Sequence, residues 1–147
     1  MGETSEIVKH FDAYSERRDV FRKRGSYYHQ YTENYLRFLI PDDASVLELG
    51  CGTGHTLANV GDPSRNTGID ISTGMDNQAK NNYPDMDFRV GDANKIELSG
   101  TYDIVLLMNT LGYLEDIQSA LECCDDIFSA GYSTDSDACA TSPTGWN

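Results

Sequence analysis

The sequence predicts an α/β protein, an open and mostly parallel sheet behind an N-terminal helical cover. Three observations carry this. Val46–Leu49 is a short apolar run followed at once by Gly50, Gly52 and Gly54, as in a strand entering a tight turn. Strand-length apolar runs then recur between helix-length segments, the pattern of a parallel sheet with right-handed crossovers. The ends of those runs carry Gly50–Gly54, Asp70, Asp92 and Asn109, which sets a crevice at the carboxyl ends of the strands.

Residues 7–40 read as two amphipathic helices broken at Gly25-Ser26. Ile7, Phe11 and Tyr14 recur at helical intervals in the first, and Tyr28, Tyr31, Tyr35 and Phe38 in the second. The tyrosine stripe has two readings. It is either a face packed on the sheet, or a lid from which Tyr14 and Tyr27 or Tyr28 reach a ligand. Arg17, Arg18, Arg22, Lys23 and Arg24 crowd between the two segments. Pro41 ends the cover. The chain thus divides into a cover over 1–40, a binding domain over 41–128 and an irregular tail over 129–147.

Beyond the turn, His55–Val60 is expected to continue as a short helix closed by Gly61-Asp62-Pro63. Its first N–H groups would face a bound polar or anionic group. Thr67–Asp70 is a second strand. Asp70 follows Gly50 by 20 residues, near the spacing at which an acid on the next strand tip accepts from ribose hydroxyls. Capping the helix over 73–82 is the alternative role for Asp70. Asp87–Val90 is a third strand running into Gly91-Asp92-Ala93. Tyr102–Met108 is a continuous apolar run, expected to be central and buried. Glu115–Phe128 is a helix with Ile117, Leu121, Cys124 and Phe128 along one side.

At 147 residues the chain is one domain in size, enough to bury roughly two thirds of its unfolded surface. Its 39% hydrophobic and 24% charged residues fit a globular fold rather than disorder. No stretch reaches the ~20 apolar residues of a membrane span. The N-terminus lacks a signal-peptide pattern, so a cytoplasmic location is expected. The net charge of −13 is unevenly spread: seven Lys/Arg against six Asp/Glu in residues 1–40, and four against eighteen thereafter. That acidic body disfavours a nucleic-acid partner. Cys51, Cys123, Cys124 and Cys139 form no Cys-x-x-Cys pair, and with the three histidines they make no metal spacing.

Taken together, these motifs resemble class I S-adenosylmethionine-dependent methyltransferases, which have a Rossmann-like sheet. The resemblance covers residues 10 to about 128. Glu48-Leu-Gly-Cys-Gly-Thr-Gly54 matches the family's first motif. By that resemblance Gly50, Gly52 and Gly54 approach the methionine part of S-adenosyl-L-methionine, with Cys51 as the small side chain within the turn. Glu48 would hold the amino end. Gly68-Ile-Asp-Ile-Ser72 with Met75 matches the second motif, which implies Asp70 on the ribose and Ile71 against the adenine. Gly91-Asp92-Ala93 matches the third, implying Asp92 on the adenine amino group and Ala93 in its pocket. Asn109 would lie near the methionine part or the acceptor, and Tyr14 would close over the cofactor. The tighter Gly-x-Gly-x-Gly spacing also differs from the Gly-x-Gly-x-x-Gly turn of a dinucleotide site.

The implied activity is methylation of a small-molecule acceptor. The competing reading is a catalytically silent or partner-dependent cofactor-binding fragment. The C-terminal part departs from the family pattern. Phe128–Asn147 is rich in Ser, Thr, Asp and Gly and has no strand-length apolar run. The family's last strands are therefore expected to be missing, leaving Ile104–Met108 with a bare edge. Truncation, completion by a partner or by self-association, and a tail folded over the edge are the three explanations.

Overall fold

A computed structural model describes residues 2–108 and 110–127. Asn109, Phe128 and the tail expected over 129–147 lie outside the described residues. The cover comprises α1 (Gly2–Arg24) and α2 (Ser26–Leu39), separated at Gly25 as the sequence predicts. The remaining elements are β1 (Val46–Leu49), β2 (Thr67–Asp70), α3 (Thr73–Asn82), β3 (Asp87–Val90), β4 (Ile104–Leu106) and α4 (Ile117–Ile127). All strand pairs are parallel, in the order β3-β2-β1-β4. Leu47 of β1 is in register with Thr67 on one side and Val105 on the other. This Rossmann-like half-sheet aligns four strand tips on one edge.

Alternation along the strands divides the core between the two faces of the sheet. Val46, Ile104, Leu106 and Phe88 pack with Leu36 and Ile40 of the cover and Ala79 of α3. Leu47, Leu49, Ile69 and Val105 pack on the opposite face with Cys124 and Ile127 of α4. β1 is buried along its whole length, its one charged residue, Glu48, included. β4 is equally buried but stands at the end of the described sheet rather than at its centre. On α4 the buried stripe is Ala120, Cys124 and Ile127, and Ile117, expected on it, is exposed.

Two expectations fail for physical reasons. The segment after the glycine turn forms only a 3-10 turn at Leu57–Asn59, not a helix. Asn66, fully buried, donates from Nδ2 to the carbonyls of Leu57 (3.1 Å) and Val60 (2.7 Å). Those carbonyls are drawn off the helical path, while Asn66 Oδ1 accepts from the Val46 amide at 2.8 Å. The second failure is the tyrosine stripe as a packed face. Tyr27 is 83% and Phe38 85% exposed, and Tyr31 and Tyr35 are also exposed. The side of α2 that turns inward instead presents His29, Thr32 and Leu36, with Ile40 beyond it. Arg37 fastens the helix end by donating to the Asn59 carbonyl at 2.9 Å.

Asn66 thus joins β1, the 3-10 turn and its exit through three backbone groups. Asn66→Leu, which keeps the volume and leaves those groups buried without partners, is expected to destabilise the protein by about 3 kcal/mol. Urea unfolding with an unchanged slope would check this.

Candidate functional site

The tight turn after β1 is held by its own backbone. The amides of Gly50 and Cys51 both donate to the Ile69 carbonyl, at 2.7 and 3.1 Å, and Gly54 donates to Cys51 at 3.0 Å. Gly50, Gly52 and Gly54 have φ of +75°, +55° and +84°, a region that costs an L side chain energy. Their surroundings differ. A Cβ on Gly50 would fall 2.2 Å from Thr110 Oγ1, and one on Gly54 would fall 2.7 Å from the Phe88 ring. A Cβ on Gly52 would meet nothing within 4 Å, so this is the glycine that opens onto free space.

Asp70 completes the turn. Its Oδ2 accepts from the Gly52 amide at 2.8 Å, and its Oδ1 accepts from the Ser72 amide at 2.9 Å. Burial pushes the Asp70 carboxyl up from its ordinary range, and the two N–H groups oppose that rise. Ser72 in turn caps α3, accepting from the Met75 amide at 3.1 Å. It donates to Asp12 Oδ1 on α1 at 2.6 Å, where the Gly74 amide also donates, at 2.9 Å. These donors hold the Asp12 carboxyl below its usual range. Asp19, two turns further along the same face of α1, accepts from Thr53 at 2.8 Å and sits 2.9 Å from His55 Nε2. The cover is therefore pinned by carboxylates at both the β2–α3 junction and the glycine turn.

Between cover and strand tips lies a cavity of about 280 Å³. Glu48, Gly50, Cys51 and Gly52 line it from β1 and its turn, and Asp70, Ile71 and Met75 from β2 and α3. Asp92 and Ala93 line it from the end of β3. Asp92 is shaped by a local turn, its Oδ1 accepting from the Asn94 amide at 2.9 Å. Nine of the sequence-predicted residues thus converge on one cavity. Tyr14 and Gly54 do not. Tyr14 stacks on Phe21 at 5.6 Å between ring centroids. It lies about 60° around the helix from Phe11, which takes a place in the wall instead. Gly54 faces Phe88 and Tyr83 and serves packing. Asn109 lies outside the described residues.

The strongest electrostatic feature is Glu48, which is 2% exposed. Its Oε2 has no hydrogen-bond partner among the described residues. Burial, with the neighbouring Asp70 charge, pushes its carboxyl up to about 8 against the pull of Arg22, the Leu57 amide and Arg18. Burial and the same carboxylates also push the Cys51 thiol far up, so it is no nucleophile. A buried carboxyl with an idle oxygen at a cavity wall fits a cationic ligand group. The open approach at Gly52 fits a ligand drawn close to backbone.

Of the cover the sequence reading named Tyr14 and Tyr27 or Tyr28 for the site; Tyr28 lies in the cavity wall, while the α1 stripe, His29 and Thr32 were not foreseen. Thr4, Ile7, Phe11, Arg18 and Arg22 share one stripe of α1 along the cavity. Their spacing of three, four, seven and four was the available signal, obscured by the neighbouring basic residues. Arg22 is ion-paired with Glu33 of α2. Tyr28, His29 and Thr32 add the α2 side. The amides of Gly50, Cys51, Gly52 and Gly54 meet internal acceptors, and the helix whose N-terminus was expected to face a ligand is reduced to a 3-10 turn.

A family model described as a methyltransferase domain matches residues 46–131. The malonyl-[acyl-carrier protein] O-methyltransferase of Bacillus anthracis is 30% identical over 90 residues, 58% of this chain and 34% of that protein. The chain spans less than half the length of the curated relatives it matches. Among solved structures, the DhpI complex with SAH superposes with a TM-score of 0.75 at 22% identity, covering 88% of this chain and 66% of that one. Streptomyces venezuelae DesVI gives 0.65 at 24%, covering 79% and 53%. Both share the fold.

Glu48 sets a pH signature. Its folded pKa of about 8 exceeds the ordinary 4.5, so the folded state binds the extra proton between those values. Its contribution to stability is full below the ordinary value and is lost as pH rises through about 8. Glu48→Gln is expected to remove this slope, making the variant relatively more stable than wild type in alkaline than in acidic buffer. Thermal unfolding across that pH range checks it.

Proposed function

The chain belongs to the methyltransferase domain family, and from that premise we propose that it transfers a methyl group from S-adenosyl-L-methionine to a small-molecule acceptor. The observation that carries this reading is Glu48: a buried carboxyl with an unpartnered oxygen, beside a glycine turn open at Gly52. A zwitterionic amino-acid tail brings the ammonium that such an oxygen lacks.

In this reading residues 1–40 act as the cover and residues 41–128 bind the cofactor. Glu48 accepts from the ammonium. Asp70 accepts from the ribose hydroxyls through lone pairs not used by the Gly52 and Ser72 amides. Ile71 and Met75 flank the adenine, with Asp92 and Ala93 at its edge. Gly54 supports the turn from behind, and Tyr14 supports α1. The cofactor supplies an electrophilic methyl on a sulfonium that leaves as a neutral thioether. The protein then needs chiefly to align the acceptor and keep water out, which the cover over the strand tips is suited to do.

Calorimetric titration of S-adenosylhomocysteine tests the reading directly. Asp70→Ala is expected to weaken binding about tenfold or more, on the order of 1.4 kcal/mol. Free Glu48 keeps its proton up to about 8, and contact with the ammonium favours the carboxylate. Binding near neutral pH should therefore release a proton, the observed heat should change with the buffer's ionisation enthalpy, and affinity should rise with pH toward that value. No heat, together with no shift in thermal unfolding, would sink the proposal.

A further inference from the structure

We propose that the α1–α2 wall of this cavity is an acceptor subsite for an acidic hydroxyl, with Arg18 steadying the oxyanion and His29 receiving its proton. The inference rests on the cofactor reading of the strand-tip half. Asp70 is engaged at both oxygens by backbone amides. Asp92 is engaged by Asn94. Glu48 is given to the cofactor's ammonium. Glu115 accepts from Thr4, and Thr4 stands 14 residues before Arg18 on the same helix, roughly 21 Å away along the axis. Among the described residues, the wall where α1 meets α2 therefore holds no idle carboxylate.

It does hold idle groups of the opposite character. Arg22 is neutralised by Glu33, but Arg18 makes no hydrogen bond or ion pair among the described residues. The His29 ring nitrogens have no hydrogen-bond partner there either, and its ring only meets Tyr28 edge-on at 5.5 Å. Burial, then Arg22, Arg18 and His55, hold the His29 imidazole below its ordinary value and favour the neutral ring, whose unpartnered nitrogen is placed to accept a proton from a hydroxyl bound against it. The Thr32 hydroxyl is already donated to the Tyr28 carbonyl at 3.0 Å and does not compete for that proton. An ammonium acceptor would meet Arg18 and the cofactor's own sulfonium with no anion to offset them. A phenol, enol or carboxylic hydroxyl becomes anionic as it reacts, and both cations then stabilise it.

The step balances. An oxygen lone pair forms the O–CH3 bond, and the S–CH3 bond breaks with its electron pair kept by sulfur. The sulfonium charge disappears as the hydroxyl proton passes to the His29 imidazole and from there to solvent.

The test uses the protein saturated with S-adenosylhomocysteine and 4-nitrophenol as probe, since its ionisation is read from colour. Below the pH at which free 4-nitrophenol ionises, wild-type complex should bind it as the yellow phenolate, and benzylamine should not displace it. Arg18→Gln and His29→Gln should each weaken phenolate binding about tenfold, with S-adenosylhomocysteine affinity changed less than about threefold. Displacement by benzylamine, or no phenolate signal while S-adenosylhomocysteine binds, overturns the proposal. So does an Arg18→Gln loss confined to S-adenosylhomocysteine and absent for 5′-methylthioadenosine, because the guanidinium would then serve the cofactor's carboxylate. Failure of wild-type protein to bind S-adenosylhomocysteine at all is a separate result, which removes the cofactor reading and this inference with it.

Discussion

The Asp70 carboxylate is the constraint on which the site depends. One oxygen fixes the Gly52 amide and the other the Ser72 amide, so two loops from different strands are tied without a ligand. Through Ser72 the tie continues to the α3 cap and to Asp12 on α1. Three segments far apart in sequence, α1 at Asp12, the glycine turn and the β2–α3 junction, thereby share one hydrogen-bonded chain. A site assembled this way needs little reorganisation when a ligand arrives, which favours affinity. It also means that the acid serves shape before it serves recognition, and that the two roles are coupled in any substitution there.

Burial supplies the second principle. Taking Glu48 out of water beside Asp70 makes its ionised form costly, and that cost is what gives a cationic group its value at this position. The same desolvation keeps the Cys51 thiol protonated and inert. Two residues beside one glycine turn thus acquire different consequences from one environment: a carboxyl with an unpartnered oxygen and a thiol held in its protonated form.

The half of the site built on strand tips was legible in the sequence because strand ends are punctuated locally. A glycine turn, an acid 20 residues on and a Gly-Asp pair each follow a short apolar run, and parallel pairing brings such ends together. Residues recruited across the cover were not legible. Arg18 and Arg22 sit in a basic cluster whose members look alike until the rotation of α1 is known. Tyr14 was assigned inward from the company of Ile7 and Phe11, but it falls beyond the edge of their stripe and stacks on Phe21. The helix expected over His55–Val60 is lost to Asn66, a polar residue outside that segment whose side chain carries no local mark of the role.

The orientation of α2 shows why hydrophobic patterning misled in this segment. Its aromatic residues are on one face, and the usual preference would bury them. Burying them would carry His29 and Thr32 out of the cavity wall and turn Leu36 away from Ile40 and the sheet, where it now packs. Helical geometry allows only one of the two faces inward. Arg22–Glu33 at the middle of the helix and Arg37–Asn59 near its C-terminal end fasten the polar choice. The tyrosine hydroxyls lower the cost of the aromatic face left outside, because each keeps a hydrated polar tip. Phe38 has no such tip and remains 85% exposed. The sequence therefore breaks the local rule of apolar residues inward at the element that completes the cavity, as expected where a wall must present polar chemistry.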